Sequence, residues 1–307
     1  MIDIIEHVHG NTVPYIQVLD HGEVRLIDCM PRLVPEGQTC EFAVVQAARV
    51  SYGEGTKTVN EDRGLIRYLL RHMHTTPFEM VEFKFLCSMP IITARQIIRH
   101  RTANVNEVSG RYSVLPNKFY IPTADGVRKQ STKNKQCSEG QVEDETDAAA
   151  FVSKLENICN NSYAEYEKAL EAGVGREQAR MLLPQNLYTT WYWKIDCHNL
   201  LHFLKLRCDA HAQYETRVYA DAMLNLIKPL IPYTIEAWND FDPYRGAVKL
   251  SRLEWNKLTE IVRIYVAKEN GAFDVQSLID NFPLVSGNKR EDEEWEKKLE
   301  RCENEHV

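Results

Sequence analysis

Residues 81–101 read VEFKFLCSMPIITARQIIRHR, and this stretch contains both of the periodicities on which the fold prediction depends. Apolar and polar side chains alternate from Val81 to Ser88, which predicts a strand with one buried face. Pro90 suits the first turn of a helix. We therefore expect a strand that leads directly into a helix running from Ile91 to Arg101, with basic residues at the end of that helix.

The segments on both sides of this stretch are mostly helical by pattern. The alanine-rich segment Glu41–Val50 predicts one helix, and a second one, capped by Asn60, should end near His72–His74. The aromatic run Leu187–Trp193 predicts a second strand. Helical periodicity returns downstream in four segments, near 151–170, 175–183, 199–206 and 212–230, the last of which should be ended by Pro232. The predicted fold class is α+β: a helix-rich single domain around a small antiparallel or mixed sheet.

Two segments stand outside this pattern. Residues from about 123 to 147 are almost all polar or charged, which indicates a surface excursion without a core of its own. Residues 243–307 form an appendage with one plausible helix near Leu253–Ile264 and a highly charged tail from Lys289 onwards, which we expect to be solvated. The main domain is therefore predicted to span residues 1–242.

Bulk composition excludes several classes of protein. The formal net charge of -7 and the pI near 5.9 argue against a general binder of nucleic acid or of anionic membranes. The chain shows no secretory signal and no apolar run long enough to cross a bilayer, so we expect a soluble, cytoplasmic protein. The eight cysteines are scattered and form no Cys-x-x-Cys pair. His198 and His202 share a helix face but lack the His-Glu-x-x-His pattern, so no metal is expected.

A tight polar loop, Thr102–Ser113, is predicted to follow this helix. Four basic side chains and the amide of Gln96 concentrate at the helix end and in the loop: Gln96, Arg99, His100, Arg101 and Arg111. Positions two apart on a helix project to nearly opposite sides, so Arg99 and Arg101 should serve two ligands or two parts of an assembly. Guanidinium groups suit phosphate, and Ser109 with the backbone amides around Gly110 could complete a cradle for it. A second polar cluster lies far along the chain and comprises Arg180, Asp196, His198, His202, Arg207 and His211.

The motif Arg99-His100-Arg101, followed after seven residues by Ser109, resembles the signature of the flavin-dependent thymidylate synthases. Its surroundings are similar to that family position by position, and the resemblance covers roughly residues 15–240. Further similar segments are Ala47–Ser51, His74–Glu79, Ala94–Arg101, Asn106–Ser113, Leu183–Tyr188 and Leu206–Gln213.

This resemblance implies an enzyme that converts dUMP to dTMP. The family takes the carbon unit from methylenetetrahydrofolate and reduces it with hydride from FAD, which is itself reduced by NADPH. It also implies a homotetramer whose active sites are shared between subunits. The resemblance further implies that the flavin lies at subunit contacts rather than in a Rossmann fold, and the chain indeed has no Gly-x-Gly-x-x-Gly turn.

The resemblance also assigns residues by matching position. Those around dUMP would be Gln96, Arg99, Glu107, Ser109, Gly110, Arg111, Arg180 and Arg207. Those at the flavin would be Ser51, His74, Thr76, Glu79, Arg99, His100, Arg101 and Glu107. Further flavin contacts would come from Asp196, His198, His202 and His211, although the family commonly has Asn and Arg at the first two of these. A carboxylate near a phosphate repels it, which weakens the case for Asp196.

Three of these residues would be catalytic. Arg207, permanently cationic, would stabilise negative charge that develops at N3 and O2 of the pyrimidine, so that no covalent nucleophile is obligatory. Ser109 has no adjacent base in the sequence, and we favour a hydrogen-bonding role over nucleophilic attack. His74 would orient groups near the flavin.

Two other functions need weighing. A cysteine-dependent thymidylate synthase is disfavoured, because none of the cysteines lies in a Pro-Cys-Gln context. A nucleic-acid-binding module could use the basic helix end and the stretch Lys129–Lys135, but the acidic net charge argues against it.

Overall fold

The computed structural model describes residues 3–6, 12–50, 62–241, 251–270, 276, 279–280, 283–284 and 289–304. The chain divides into two compact units, Met1–Phe241 and Asp242–Val307. Asn60, the predicted cap of the second helix, and Ser51, a predicted flavin contact, lie outside the described residues.

A six-stranded sheet forms the centre of the first unit, with strands in the order β1-β2-β3-β4-β8-β5 and every described neighbouring pair antiparallel. The α+β prediction is therefore confirmed, and the sheet is antiparallel rather than mixed. The sequence pattern predicted β4 and β8 but not the three N-terminal strands or β5. The strands are β1 Asp3–Glu6, β2 Thr12–Val18, β3 Gly22–Met30, β4 Glu82–Pro90, β5 Asn104–Glu107 and β8 Tyr188–Asp196, and a separate hairpin contains β6 Arg128–Gln130 and β7 Ser138–Gln141.

The two central strands carry much of the core. Phe85 on β4 lies opposite Trp193 on β8, and both side chains are fully buried. The predicted alternation in β4 is confirmed, because Phe83, Phe85, Cys87 and Met89 are all buried on one face. Burial of each aromatic ring stabilises the fold by roughly 2–3 kcal/mol. These strands therefore form a rigid base for the residues at their ends.

Helices of the first unit pack around this sheet. They are α1 Phe42–Arg49, α2 Asp62–Arg71, α3 Ile91–Ile97, α4 Glu145–Glu171, α5 Arg176–Ala179, α6 Cys197–Arg207, α7 Tyr214–Ile227 and α8 Pro232–Phe241. Helix α7 lies close to β3, and its Tyr219 hydroxyl donates to the Ser88 carbonyl oxygen of the adjacent strand β4 at 2.8 Å. A Cβ atom at Gly22 would collide with that hydroxyl, so only glycine permits this approach.

Helix α3 is shorter than predicted. It ends at Ile97, whereas the sequence pattern suggested that it continues to Arg101. The chain turns at once and forms β5, in which Asn104 pairs with Lys194 of β8. A helix extending to Arg101 would leave too few residues for this reversal. The prediction that Thr102–Ser113 is only a loop is also wrong, since β5 lies within it.

Pro232 begins a helix rather than only ending the preceding one. Proline fits the first helical turn because its missing N–H is not needed there. The buried Glu41 carboxylate accepts the backbone N–H of Thr234 at 2.9 Å and of Tyr233 at 3.2 Å. Burial raises the pKa of Glu41, against the lowering effect of these hydrogen bonds. The sequence offered no local signal for this cap, which comes from a residue far away along the chain.

The polar excursion contains the exposed β6–β7 hairpin and then gives way to α4, which Asp144 caps through the N–H of Thr146 at 2.8 Å. The hairpin contacts the segment after α6, because the Cys137 thiol donates to the His211 carbonyl oxygen at 3.2 Å. The predicted long helix is confirmed as α4.

The second unit contains α9 Arg252–Asn270 and α10 Lys289–Asn304. The expectation that the tail from Lys289 is simply solvated is wrong for its described part, because Leu299 is buried against Val262, Ile279 and Trp295. None of the helices in the described ranges is long and apolar enough to cross a membrane.

Candidate active site

The motif residues Arg99, His100 and Arg101 lie in the turn after α3. The backbone N–H of His100 still reaches the Ile97 carbonyl oxygen at 3.0 Å, but the regular helix has ended. Arg99 and Arg101 are exposed, and His100 is half-buried. Arg99 and Arg101 therefore do not project from opposite sides of one helix, as the sequence predicted. Any separation of their side chains comes from the turn itself.

A cleft with a volume of about 210 Å³ lies between α3 and the β5–β8 edge. It brings Arg99 and Glu107, which are eight residues apart, to the same opening. The carboxylate of Glu107 accepts a hydrogen bond of 2.5 Å from the buried Thr189 hydroxyl of β8. This bond fixes one cleft residue to the sheet. The lining is Ile91, Ala94, Arg95, Ile98, Arg99, Glu107 and Trp191.

The turn after β5 brings the predicted substrate residues close to a second segment. The Ser109 hydroxyl accepts the backbone N–H of Arg111 at 3.3 Å, so its described partner is a backbone donor rather than a basic side chain. A Cβ atom at Gly110 would lie 2.9 Å from Leu115 Cδ1 and 3.3 Å from Arg180 Cδ. Glycine at this position therefore allows Arg180 to pack directly against the turn.

Arg207 stands at the last turn of α6 and is half-buried. Its Nη2 donates to the Gln96 carbonyl oxygen at 3.5 Å, and its Nε is buried and has no hydrogen-bond partner within the described part of the chain. Burial lowers the pKa of Arg207, yet a guanidinium group remains charged at neutral pH. A buried donor without a partner is costly in a folded protein, and the half-buried guanidinium group is held at one end by the Gln96 carbonyl oxygen.

His100 lies beside this arginine. Its ring contacts Phe203 with centroids 4.9 Å apart and His202 with centroids 5.9 Å apart. Burial, followed by the charges of Arg207 and His202, lowers the pKa of His100 to about 4. At neutral pH the imidazole is therefore uncharged, and Arg207 is the cation of this pair.

Gln96 connects α3 to α7. Its Nε2 donates to Gln213 Oε1, and its Oε1 accepts a hydrogen bond of 3.2 Å from the buried Thr216 hydroxyl. Both the nitrogen and the oxygen of the Gln96 side-chain amide are therefore hydrogen-bonded to α7 or its cap.

The remaining predicted residues lie apart from this cleft. His74, Thr76 and Glu79 are exposed around a 3-10 helix, Thr76–Met80, that precedes β4. His74 packs against the Tyr68 ring, with centroids 5.9 Å apart. None of the described contacts joins these three residues to Arg99, Glu107 or Arg207.

The residues at the start of α6 and after its end have other partners. Asp196 caps α6, with one carboxylate oxygen on the Asn199 N–H at 2.9 Å and the other on the Asn199 side-chain amide at 2.7 Å. His198 is half-buried, and the exposed His211 ring contacts Asp209 at 2.8 Å. Because both Asp196 oxygens are engaged at the helix start, its described role is that of a cap.

Three residues of this site, Thr189, Glu215 and Thr216, lie outside the family-like segments and are identified only by the long-range contacts of β8 and α7. Gln213 ends the family-like segment Leu206–Gln213, but the sequence assigned no role to it. Among the described residues, no group of three or more His, Cys, Asp or Glu side chains is placed to hold a metal ion.

Comparison with known proteins decides the family. Residues 32–233 match the family described as "Thymidylate synthase complementing protein". A flavin-dependent thymidylate synthase from Dictyostelium discoideum is 52% identical over 283 residues, which cover 92% of this chain and 86% of that protein. The chain belongs to the flavin-dependent thymidylate synthase family.

A second curated relative and a solved structure are also similar to the chain. The flavin-dependent thymidylate synthase of Thermus thermophilus is 54% identical over 245 residues, covering 79% of this chain and 84% of that one. Among solved structures, a UMP/dUMP methylase from Streptomyces cacaoi bound with 5-Br UMP has a TM-score of 0.62 and 33% identity, covering 72% of this chain and 94% of that one. The resemblance inferred from Arg99–Ser109 is thus confirmed, and the alternative of a nucleic-acid-binding module loses its basis.

Proposed function

We propose that this chain converts dUMP to dTMP, with methylenetetrahydrofolate as carbon donor, FAD as the source of hydride and NADPH as the reductant of FAD. The observation that carries the proposal is Arg207, a half-buried cation at the end of α6 whose guanidinium group is held by the carbonyl oxygen of Gln96. A solved relative is bound with 5-Br dUMP, a pyrimidine nucleotide of the class that such a donor suits.

The turn after β5 carries groups that suit a nucleotide. Arg180, which packs against Gly110, offers a guanidinium group for a phosphate, and Ser109 offers a hydroxyl beside it. We assign dUMP to the surface between this turn and the cleft, with contacts from Gln96, Arg99, Glu107, Ser109, Gly110, Arg111, Arg180 and Arg207.

The donor set around the motif fits a flavin dinucleotide. Arg99 and Arg101 are exposed cations suited to a pyrophosphate, and the neutral, half-buried His100 offers an uncharged ring nitrogen. When bound, FAD supplies the hydride with which the transferred carbon becomes a methyl group. The proposed contacts are Ser51, His74, Thr76, Glu79, Arg99, His100, Arg101, Glu107, His198, His202 and His211. Asp196 acts as the cap of the helix that carries His198 and His202.

The exposure of the proposed flavin contacts supports active sites that are shared between the subunits of a homotetramer. Arg99, Arg101, His74 and Glu79 are all exposed in the single chain, whereas a flavin site usually encloses most of its ligand. A neighbouring subunit would supply the missing walls.

Arg207 would perform the main electrostatic step. The pyrimidine must become electron-rich at C5 before it can attack the one-carbon unit, and negative charge then develops on N3 and O2. A guanidinium group that is fixed by the Gln96 carbonyl oxygen and partly withdrawn from water stabilises this charge more strongly than an exposed one. Ser109 would hold the nucleotide by a hydrogen bond, and His74 would orient groups at the flavin.

The test uses the purified chain with FAD, dUMP, methylenetetrahydrofolate and NADPH. We expect a bound flavin absorbance spectrum, oxidation of NADPH, and dTMP that appears by chromatography only when all four are present. Omission of each compound in turn identifies its role. Absence of dTMP from the complete mixture, with flavin failing to bind, would refute the proposal.

A further inference from the structure

A chain of hydrogen bonds runs from Glu215 of α7 through Gln213 to Gln96. Glu215 determines which group donates and which accepts in each bond of this chain. The Glu215 carboxylate accepts the Gln213 side-chain amide at 2.8 Å and the Tyr120 hydroxyl at 3.3 Å. Burial raises the pKa of Tyr120, so this phenol keeps its proton at neutral pH and donates it. An ionised carboxylate can only accept, and both partners must therefore donate to it.

This constraint propagates along the chain. Because Gln213 turns its Nε2 towards Glu215, its Oε1 must face Gln96. Gln96 then has to donate with its own Nε2, which leaves its Oε1 to accept from Thr216. If the Gln96 amide were flipped, its Oε1 would face Gln213 Oε1, and two acceptors would be in contact. If Gln213 were flipped as well, its Oε1 would face the Glu215 carboxylate, which is also an acceptor. Both amides are thus locked in one orientation.

The two ends of the Gln96 amide also differ in exposure. Its oxygen faces Thr216, whose side chain is fully buried, whereas its nitrogen lies on the side of the exposed Gln213. One N–H of Nε2 is used by Gln213, and the second remains for a ligand. The same residue holds Arg207 through its carbonyl oxygen.

We propose that Glu215 and Thr216 are positioning residues that make Gln96 present an N–H donor, and not a carbonyl oxygen, to the bound nucleotide. The inference rests on the proposed function, which places dUMP against Gln96. Both the phosphate and the uracil carbonyl oxygens of dUMP are acceptors for such a donor. Neither Glu215 nor Thr216 needs to contact the nucleotide itself.

A double-mutant cycle tests this proposal. Glu215→Gln keeps the shape but gives the end of the chain a donor, so both orientations of Gln96 become allowed. We expect the dUMP dissociation constant of the FAD-loaded protein, measured by calorimetry, to rise about threefold, and KM to follow it while kcat stays within about twofold. In a Gln96→Ala background, the same substitution should have no further effect.

Variants of Thr216 provide the conservative comparison. Thr216→Ser retains the donating hydroxyl and should leave dUMP binding unchanged, whereas Thr216→Val keeps the shape, removes the donor, and should weaken binding by about threefold. Glu165→Gln, an exposed carboxylate on α4 that pairs with Lys168, is the matched control and should change nothing.

The outcomes separate clearly. If Glu215→Gln weakens dUMP binding equally with Gln96 present and with Gln96 replaced by Ala, Glu215 does not act through Gln96 and the inference is overturned. The inference is also overturned if Glu215→Gln leaves dUMP binding unchanged in both backgrounds. If the unmodified protein binds no dUMP and forms no dTMP, the proposed function has failed, and the inference falls with it.

Discussion

The end of α6 and the turn after α3 both carry arginines of the site, but they hold them differently. Arg207 is half-buried, touches the Gln96 carbonyl oxygen and keeps a buried Nε without a described partner. Arg99 and Arg101 are exposed and follow a helix that has already ended. A cation fixed in a region of low dielectric acts strongly on charge that develops beside it, whereas an exposed one is screened. We therefore propose that Arg207 at the end of α6 takes part in the chemistry and that Arg99 and Arg101 in the turn bind ligands.

The largest effect should come from Arg207→Ala. Removing a fixed cation next to developing negative charge should lower kcat for dTMP formation by roughly 10²–10³-fold. Flavin absorbance should be retained, because the proposed flavin cations belong to the turn. Lys205→Ala, which removes a cation from the same helix, is the control and should keep most activity. Turnover of the Arg207 variant within threefold of the unmodified enzyme would remove the distinction between the two regions.

Gly110→Ala should have a smaller effect that is confined to binding. The new Cβ would crowd Leu115 and Arg180, so the Arg180 guanidinium would shift by a few tenths of an ångström. We expect KM for dUMP to rise about fivefold with little change in kcat. Gly175→Ala is the matched control, since a Cβ there meets nothing within 4 Å. An unchanged KM would show that the turn does not hold the nucleotide.

His100→Asn should alter the dependence of stability on pH. The folded protein lowers the pKa of His100 to about 4 from an ordinary value of 6.5, so the unfolded chain binds a proton at this residue first. Stability therefore falls as pH decreases from 6.5 towards 4. Urea unfolding at several pH values should show a shallower loss of stability in the variant. Parallel curves for His100→Asn would contradict the assigned environment.

The smallest effect is expected from Cys208→Ser, which changes the residue after Arg207. If Arg207 stabilises charge and no thiol attacks the pyrimidine, dTMP formation should stay within about twofold. The same result is expected for the buried Cys197→Ser after allowance for stability. Complete loss of turnover in either folded variant would require a covalent mechanism.

Local patterns predicted the parts of the fold that depend on local periodicity. The alternation from Val81 to Ser88 identified β4, and the helical spacing around Phe151–Leu170 identified α4, which indeed ends before Gly173. The N-terminal strands were missed because their stability comes from long-range pairing, as between Val24 and Cys87. The end of α3 was placed too late for a similar reason, since β5 pairs with a strand more than 80 residues away.

The site divides in the same way. The motif from Arg99 to Ser109 identified the family, and matching positions named Gln96 and Arg207, which the structure brings into contact. Nothing in the sequence around Glu215 or Thr216 marks a function. Their significance depends on which atoms donate and which accept across α3 and α7, and only the folded arrangement contains that information.

The most direct test of the central claim is a single turnover without NADPH. The flavin of the purified enzyme is first reduced under anaerobic conditions, and dUMP and methylenetetrahydrofolate are then added while absorbance and dTMP are followed together. We predict one dTMP for each flavin that is reoxidised. Formation of dTMP while the flavin stays reduced, or reoxidation of the flavin without dTMP, would contradict the proposed function.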